Sequence, residues 1–145
     1  MATVDTVMKS AKCCRPDDTA RACARLMKEE NIGFVPICNE DGEPVGTLTD
    51  RDLALRILAD GRPPDAEVGS FMTREVVSCT LGDDLRDAER LMQENHKSRI
   101  MVCDTDGKLL GVISLSDIAE TEDEEIAGRT LREVASREVA QPHAS

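Results

Sequence analysis

The chain has 145 residues, 40% of them hydrophobic and 32% charged, which suits one compact domain or two small repeats that share a core. A net charge of −11 and an aromatic content of 1% (Phe34 and Phe71) argue against nucleic acid as a partner, because phosphates would be repelled and bases would find no rings to stack on. No run approaches the ~20 apolar residues that cross a bilayer, and the N-terminus lacks the features of a secretion signal, so we expect a cytoplasmic protein without a membrane segment.

The chain contains an internal duplication. A long ungapped match appears when the sequence is shifted so that Cys14 falls on Cys79. The other matched pairs are Asp18 with Asp83, Arg21 with Arg86, Arg25-Leu26-Met27 with Arg90-Leu91-Met92, Glu29 with Glu94, Cys38 with Cys103, Asp41-Gly42 with Asp106-Gly107, Gly46 with Gly111 and Asp52 with Asp117. So many matches in one register indicate one unit written twice.

The first copy predicts the order β-α-β-β-α. Acidic residues at Asp17 and Asp18 predict a helix start, because carboxylates there cap free N–H groups and oppose the helix dipole. The Asp41-Gly42 pair predicts a hairpin turn between two strands. In chain order we expect a strand around Lys12–Cys14, a helix with apolar positions Ala20, Cys23, Leu26 and Met27, strands Phe34–Cys38 and Pro44–Leu48, and a helix near Asp50–Ala59.

The second copy predicts the same order. Asp83 and Asp84 mark its helix start, and Asp106-Gly107 marks its hairpin turn. The predicted elements are a strand at Val76–Cys79, a helix with apolar positions Leu85, Ala88, Leu91 and Met92, strands Ile100–Cys103 and Leu109–Ile113, and a helix from Leu115 onward. The fold class is therefore α/β (α+β), with two tandem β-α-β-β-α units.

Composition divides the chain into four parts. Residues 1–60 form the first repeat, residues 61–70 a turn-rich linker that contains Pro63-Pro64, and residues 71–120 the second repeat. Residues 121–145 form an acidic tail. A short helix is possible there, with Ile126, Leu131 and Val134 as its apolar positions.

The same short motif ends the third strand and opens the second helix of each copy. Gly46-Thr-Leu-Thr49-Asp-Arg-Asp52 and Gly111-Val-Ile-Ser114-Leu-Ser-Asp117 both fit Gly-x-x-[Thr/Ser]-x-x-Asp. With the duplication around it, this pattern resembles the cystathionine-β-synthase (CBS) domain family over about residues 5–120, and is closest to small stand-alone bacterial proteins that contain one CBS pair. The resemblance implies two motifs packed through their sheets as a pseudo-twofold pair, with clefts that hold adenosine ligands.

The resemblance also implies which residues contact the ligand. Thr49 and Ser114 would contact phosphate or ribose, and Asp52 and Asp117 would accept hydrogen bonds from the ribose hydroxyls. A hydroxyl at a helix start, beside unpaired N–H groups, suits an anionic group. The alternative is a capping box, in which both side chains bind only the backbone of their own helix.

Further contacts are expected around these motifs. Arg99 falls where some nucleotide-binding family members carry a phosphate-contacting arginine, while the first copy has Phe34 there, so the two sites should differ. The alternative for Arg99 is a surface ion pair. Arg51 is a second cationic candidate. The aliphatic residues expected to support a purine ring are Ile32, Val35, Ile100 and Ile113.

Cysteine spacing leaves two alternatives open. Cys14 with Cys38, and Cys79 with Cys103, occupy the first and second strands of their copies and could form one disulfide per motif if their Cα atoms are close enough. The other alternative is buried free thiols, which a reducing compartment favours. No zinc site is expected, because Cys13-Cys14 is vicinal and His96 and His143 are isolated. With only these two histidines, the chain has few candidates for a catalytic base.

These features predict a regulatory module and not an enzyme. We expect it to sense an adenine nucleotide (AMP, ADP or ATP) or S-adenosylmethionine, to require no cofactor, and to act through an unidentified effector protein. A homodimer is expected because the second helix carries extra apolar residues, Leu53, Ile57 and Leu58. The alternative functions are a structural dimerisation module, or a thiol-redox stress module using Cys13 or Cys14, neither of which binds nucleotide.

Overall fold

The computed structural model describes residues 2–120 and 131–135. Its elements in chain order are α1 (Val4–Val7), β1 (Lys9–Ser10), α2 (Ala20–Glu30), β2 (Phe34–Cys38), β3 (Pro44–Thr49), α3 (Asp50–Leu53), a π-helical segment (Ala54–Ala59), a 3-10 turn (Val68–Ser70), β4 (Ser78–Thr80), α4 (Leu85–Asn95), β5 (Arg99–Cys103), β6 (Leu109–Ser114) and α5 (Leu115–Ala119). Residues 131–135 are also helical. The predicted mixed α/β class with two tandem motifs is confirmed.

Packing divides the chain into two compact units. One unit consists of residues 11–76 and is called here the first-copy unit. The other, the second-copy unit, consists of the described residues before residue 11 and after residue 76. The units therefore do not follow the repeat boundaries at residues 60 and 70, because the segment that precedes each repeat packs within the unit of the other repeat.

The first-copy unit is built on an antiparallel hairpin. Strands β2 and β3 pair with Phe34 opposite Thr49. The turn is closed by the Asn39 side chain, which accepts hydrogen bonds from the backbone N–H groups of Asp41 and Glu43. The buried core under this hairpin consists of Cys14, Ala20, Cys23, Met27, Val35, Ile37, Leu48, Ile57, Val68, Phe71 and Met72.

The second-copy unit has a four-stranded sheet in the order β1-β6-β5-β4. Strands β5 and β6 form the equivalent hairpin, with Arg99 opposite Ser114, and β4 lies parallel to β5. The buried core consists of Val4, Cys79, Leu85, Ala88, Met92, Ile100, Val102, Ile113, Leu115, Ile118 and Val134. Apolar positions at helical spacing on α4 and at alternate positions on the strands thus meet in one core.

The segment before the first repeat completes the second-copy unit. In β1, Lys9 pairs with Val112 and Ser10 with Gly111. Val4 is fully buried in that unit's core, and its N–H donates to the carbonyl of Asp83. The segment around Val68 plays the same part in the first-copy unit, since the Val68 N–H donates to the carbonyl of Asp18.

This arrangement explains the two motif glycines. A Cβ atom at Gly111 would lie 2.5 Å from the carbonyl oxygen of Lys9 in the paired strand. A Cβ atom at Gly46 would lie 2.6 Å from Sδ of Met72 and 2.8 Å from the carbonyl oxygen of Thr73. Each glycine is therefore required by the close approach of the chain segment that pairs with its strand.

The first helix of each copy begins next to the predicted acidic residues, but an acidic residue caps the helix only in the second copy. Thr19, and not Asp17 or Asp18, caps α2, because its hydroxyl accepts from the Ala22 N–H. Asp18 accepts from the Arg15 N–H in the preceding turn. In the second copy Asp84 does cap α4, by accepting from the Arg86 N–H.

The second helix of the first copy departs from its prediction. Only Asp50–Leu53 is α-helical, and Ala54–Ala59 continues as a π-helix. Ile57 is buried in the core of its own unit, whereas Leu58 is 81% exposed. Of these apolar positions, Leu58 therefore offers the surface that an interface would need.

The tail is described only in part. Ile126 lies outside the described residues. Val134 is 2% exposed and belongs to the second-copy core, while Leu131 is 55% exposed. In the portion of the chain with described coordinates, the helices are all too short or too polar to span a bilayer.

Candidate functional site

Both Gly-x-x-[Thr/Ser]-x-x-Asp motifs form capping boxes. In the first copy the Thr49 hydroxyl accepts from the Asp52 N–H at 3.1 Å, and Asp52 Oδ2 accepts from the Thr49 N–H at 2.9 Å. In the second copy the corresponding distances between Ser114 and Asp117 are 3.2 and 3.0 Å. One oxygen of each carboxylate is thus committed to the backbone, which leaves Oδ1 for any other partner.

The Oδ1 atoms have different surroundings in the two copies. Asp117 Oδ1 lies 3.0 Å from Nζ of Lys9, and the Asp117 side chain is only 8% exposed. Asp52 Oδ1 lies 3.8 Å from Nε of Arg56, with 18% of the Asp52 side chain exposed. The second-copy carboxylate therefore has the closer cation and the less accessible site.

The surroundings of Asp117 change its acidity. Burial raises the pKa of this carboxyl group, but hydrogen bonds from Ser114 and Lys9, together with the charge of Lys9, outweigh burial and lower its pKa overall. The same hydrogen bond from Lys9 to Asp117 raises the pKa of Lys9. Both groups are therefore charged at neutral pH.

Strand register places Arg99 beside Ser114. The two residues are direct partners across β5 and β6, and side chains at directly opposite positions of an antiparallel pair lie on the same face with Cβ atoms about 5 Å apart. Arg99 is exposed. The second-copy junction therefore presents two cations, Arg99 and Lys9, with the Ser114 hydroxyl and the Asp117 carboxylate.

The first-copy junction has a different composition. Phe34 occupies the position opposite Thr49 that Arg99 occupies opposite Ser114. Arg51 is exposed on α3. The shift that aligns the copies also places Arg74 on Lys9, but the Arg74 guanidinium donates to the Gly69 carbonyl at 2.9 Å.

The aliphatic residues predicted to support a ring are mostly core residues. Val35 and Ile113 are fully buried and Ile100 is 1% exposed, each inside the core of its unit. They offer no accessible surface to a ligand, so we do not retain them in the site. Ile32 is 38% exposed and is retained.

Sequence reasoning missed Lys9 and Arg56 as partners of the motif carboxylates. Arg56 follows Asp52 by one helical turn, which is a recognisable signal. Lys9 lies far from Asp117 in sequence, and only the pairing of β1 with β6 brings them together. The available signal was the repeat alignment of Lys9 with Arg74, which marks a basic position before each copy.

Of the two alternatives for the cysteines, the structure has free thiols. All six cysteines lie in the described part of the chain and are free thiols there, with Cys13 exposed and the other five buried. Cys14 pairs with Ile37 through an isolated parallel β-bridge, which places these two residues on the same face. Cys38 follows Ile37 in the strand and therefore lies on the opposite face. Cys79 is likewise the partner of Val102, which places Cys103 on the other face. The alternative of buried free thiols describes all four residues.

Cys14 lies in the same buried core as Cys23 of α2. The influence of the neighbouring Cys23 thiol lowers the pKa of Cys14, although burial opposes that change. The interaction with Cys14, together with burial, raises the pKa of Cys23. In the second copy, burial raises the pKa of Cys79 to about 11.

Groups of metal ligands are not found in the described ranges. Across residues 2–120 and 131–135, no three His, Cys, Asp or Glu side chains lie close enough together to hold a metal ion. His96 ends α4 in the left-handed conformation with φ 56°. His143 lies outside the described residues.

The chain belongs to the CBS-domain family. The family profile, described as "CBS domain", matches residues 4–59 and again residues 68–124. The fold and the duplicated junctions agree with this assignment, which confirms the resemblance inferred from the motifs.

Relatives and solved structures support the same class. The CBS domain-containing protein YhcV of Bacillus subtilis is 34% identical over 136 residues, which are 93% of this chain and 96% of YhcV. A protein of Methanopyrus kandleri, MK0525, is 33% identical over 108 residues, 74% of this chain but only 55% of that protein.

Two solved structures add detail. The structure of Hypoxic Response Protein I with two coordinated zinc ions has a TM-score of 0.74 and 29% identity, and the match covers 84% of this chain and 100% of that one. The protein of that name is from Mycobacterium tuberculosis. CBSX2, solved in complex with AMP, has a TM-score of 0.70 and 25% identity, and the match covers 83% of this chain and 95% of that one.

Proposed function

We propose that this protein is a regulatory module that binds an adenine nucleotide at the second-copy junction and has no catalytic activity of its own. The observation that carries the proposal is the meeting of Arg99, Ser114, Asp117 and Lys9 at one strand-to-helix junction. The ligand class comprises AMP, ADP, ATP and S-adenosylmethionine.

The two cations are suited to the phosphate. Arg99 is exposed opposite Ser114, so its planar guanidinium is available to hold two phosphate oxygens while the hydroxyl contacts a third. The Lys9 side chain is also largely exposed. A phosphate here would meet positive charge in a chain whose net charge is −11, which favours a lightly charged ligand such as AMP over ATP.

Asp117 is suited to the ribose. Its Oδ2 remains with the backbone of α5, and Oδ1 is the atom that can accept a hydrogen bond from a ribose hydroxyl. Lys9 occupies Oδ1 at 3.0 Å. Ligand binding therefore includes an exchange, in which Lys9 turns from the carboxylate toward the phosphate and the diol takes its place.

The first copy is proposed as the weaker nucleotide site. Phe34 replaces Arg99 there, and the ring cannot balance a phosphate charge. Thr49 and Asp52 keep the same hydroxyl and carboxylate, so this junction suits an uncharged adenosine better than a nucleotide. Arg51 and Ile32 are its additional candidate contacts.

Relatives support the ligand class and the biological setting. CBSX2 has been solved with AMP, and we extend that ligand class to this chain. Hypoxic Response Protein I carries a stress-related name, and we propose a stress-linked role here too. A cytoplasmic homodimer acting on an effector protein completes the proposal, with the exposed Leu58 as a candidate contact between the two copies.

The proposal is tested by isothermal titration of the purified protein with AMP, ADP, ATP, adenosine and S-adenosylmethionine, with melting temperature as a second readout. Arg99→Gln should weaken AMP about tenfold, because one charge-assisted contact is lost, yet leave adenosine unchanged. Asp117→Asn should weaken both ligands. Arg25→Gln removes an exposed arginine elsewhere and is the matched control.

Each outcome has a distinct meaning. Binding that survives Asp117→Asn but disappears in Asp52→Asn would move the nucleotide to the first copy. Failure of every ligand to bind or to raise the melting temperature would reject the sensor and favour a structural dimerisation module. Equal weakening by Arg99→Gln and Arg25→Gln would show that general charge, and not the junction, attracts the ligand.

A further inference from the structure

The first-copy junction contains an arginine for which the proposed nucleotide site has no role. Arg56 lies in the π-helical segment, one helical turn after Asp52. Its guanidinium donates a hydrogen bond from one terminal nitrogen to the carbonyl of Phe71, while its Nε atom lies 3.8 Å from Oδ1 of Asp52. One side chain therefore connects the motif carboxylate to the backbone of a distant segment of the same unit.

The Phe71 carbonyl is a fixed anchor for this guanidinium. The Phe71 side chain is buried in the first-copy core, and its N–H donates to the Val68 carbonyl at 3.1 Å. Two residues later, Thr73 and Thr47 of β3 exchange two backbone hydrogen bonds at 2.8 and 3.0 Å. The carbonyl between these points has little freedom to move. Because the guanidinium is a planar fork, one nitrogen held here also fixes the direction of Nε.

Arg56 and Lys9 hold their carboxylates in different ways. The Lys9 ammonium lies 3.0 Å from Asp117 Oδ1, which is hydrogen-bond distance, whereas 3.8 Å between Arg56 Nε and Asp52 Oδ1 is too long for a hydrogen bond. Among the residues that the structure describes, none donates a hydrogen bond to Asp52 Oδ1. The first-copy acceptor therefore lies near a cation but stays open, while the second-copy acceptor is covered.

We propose that Arg56 makes the first-copy junction selective for the cis-diol of an uncharged nucleoside, because it holds Asp52 in position and leaves Oδ1 open to the ribose hydroxyls. This inference rests on the proposed function, in which the motif carboxylates bind ribose. A diol approaches Asp52 without displacing a cation, whereas at Asp117 it must first displace Lys9. Arg56 is a positioning residue, since it acts through Asp52 and needs no contact of its own with the ligand.

Two observations distinguish this arrangement from an ordinary ion pair on a helix surface. Exposed pairs four residues apart stabilise little, because two long side chains must be held in one geometry. Here both partners are held by the backbone: Arg56 by the Phe71 carbonyl, and Asp52 by the Thr49 N–H at 2.9 Å. In addition, Arg56 lies in a π-helical segment, and such segments occur frequently at functional sites.

The test is isothermal titration of the full-length Asp117→Asn protein with adenosine and with 2′,3′-dideoxyadenosine, which lacks both ribose hydroxyls. Asp117→Asn removes the ribose acceptor of the second copy, so the adenosine binding that remains reports the first copy. Adding Arg56→Gln should weaken adenosine about fivefold, which corresponds to the loss of one well-placed hydrogen bond. The dideoxy analogue should bind both proteins equally, so the preference for adenosine should fall by the same factor.

Two further variants in the same Asp117→Asn protein separate position from charge. Arg56→Lys keeps the charge but has one flexible ammonium, which can close on Asp52 Oδ1 as Lys9 does on Asp117, so it should also weaken adenosine. Arg62→Gln is the matched control, because Arg62 lies 5.7 Å from the centre of the Phe71 ring, while Asp52 pairs with Arg56. It should leave the preference for adenosine unchanged. Melting temperatures show that each variant is folded.

The results also separate this inference from the proposed nucleotide site. AMP binding to the native protein, with no adenosine binding to Asp117→Asn, would overturn the inference and keep the nucleotide site. Adenosine binding that depends on Arg56, in a protein that does not bind AMP, would support the inference and reject the nucleotide site. Equal weakening of adenosine and its dideoxy analogue by Arg56→Gln, or full adenosine binding in Arg56→Lys, would overturn the inference. Absence of binding by both AMP and adenosine would overturn both proposals.

Discussion

The two copies have the same backbone arrangement at the strand-to-helix junction but different side chains around it. Both junctions have a capping box, a motif glycine and a hairpin in the same register. Around this frame, Arg99 corresponds to Phe34 and Lys9 to Arg74. Residues that the backbone requires are therefore shared, while the side chains around the junction differ between the copies.

The largest effect is expected from the motif glycines. Gly111→Ala should lower the free energy of unfolding by about 1–3 kcal/mol, because overpacking forces neighbouring atoms to move. The backbone oxygen nearest to the new Cβ lies at 2.5 Å for Gly111 and at 2.8 Å for Gly46, and the other close atom at Gly46 is the flexible Met72 sulfur at 2.6 Å. Gly46→Ala should therefore cost less than Gly111→Ala, as measured by urea unfolding. An equal loss of unfolding free energy in both variants would contradict the expected difference between the two glycine positions.

The capping boxes should contribute equally in the two copies. Thr49→Ala and Ser114→Ala should each lower stability by about 1 kcal/mol, because each removes the acceptor for a free helix N–H. Ser116→Ala is the control, since Ser116 only contacts the Ser114 hydroxyl and is exposed. Thermal or urea unfolding of the three variants measures the effect. If Ser116→Ala cost as much as Ser114→Ala, the hydroxyl pair and not the cap would carry the stabilisation.

Acid should selectively weaken the second-copy junction through Asp117. The folded pKa of this carboxyl is lowered, so its stabilisation is complete above the unfolded pKa of about 3.9 and is lost as the pH falls through the lower folded value. The stability difference between the native protein and Asp117→Asn should therefore be full at neutral pH and shrink below about pH 3.9. In a Lys9→Met background this pH dependence should decrease. A difference that stays constant down to acid unfolding would exclude a charged Asp117 as its source.

The smallest effect on stability is expected from Lys9, because its ion pair with Asp117 is solvent-exposed on the lysine side. Its effect on ligands should be larger. Lys9→Gln should weaken AMP several-fold through loss of a cation, and should strengthen adenosine because the Lys9 ammonium group no longer competes with the ribose for Asp117 Oδ1. Titration calorimetry with both ligands measures this opposite shift. Lys12→Gln, which breaks an exposed ion pair with Glu30, is the control and should change neither affinity.

Sequence reasoning predicted most of the fold because its signals were local. The shifted repeat, the Asp-Gly turns and the apolar spacing of α2 and α4 are properties of neighbouring residues, and each produced the expected element. The wrong prediction for the residue that caps α2 also has a local cause. Asp18 binds the N–H of Arg15 three residues earlier, which leaves Thr19 to cap the helix.

The site was predicted only in part because exposure and pairing depend on distant residues. The motif alone identified Ser114 and Asp117, and the repeat alignment identified Arg99 as the counterpart of Phe34. It did not reveal that Val35 and Ile113 are fully buried, since apolar residues line both cores and ligand sites. Nor did cysteine spacing show that Cys14 faces α2 and not Cys38, because that depends on which face of the strand each residue occupies.

By itself, the sequence determined the duplication, the family, the residues of the two motifs and the order of elements from the first helix of each copy onward, because these depend on periodicity and short-range chemistry. The strand predicted at Lys12–Cys14 was wrong, since only an isolated bridge between Cys14 and Ile37 forms there. Tertiary structure alone decided that β1 joins the second-copy sheet, and with it that Lys9 meets Asp117 and that Gly111 has no room for a side chain. It also decided that Cys14 and Cys23 share one buried core. The physical reason is that strand pairing and helix packing join residues far apart in the chain, and no local pattern records which distant partner is chosen.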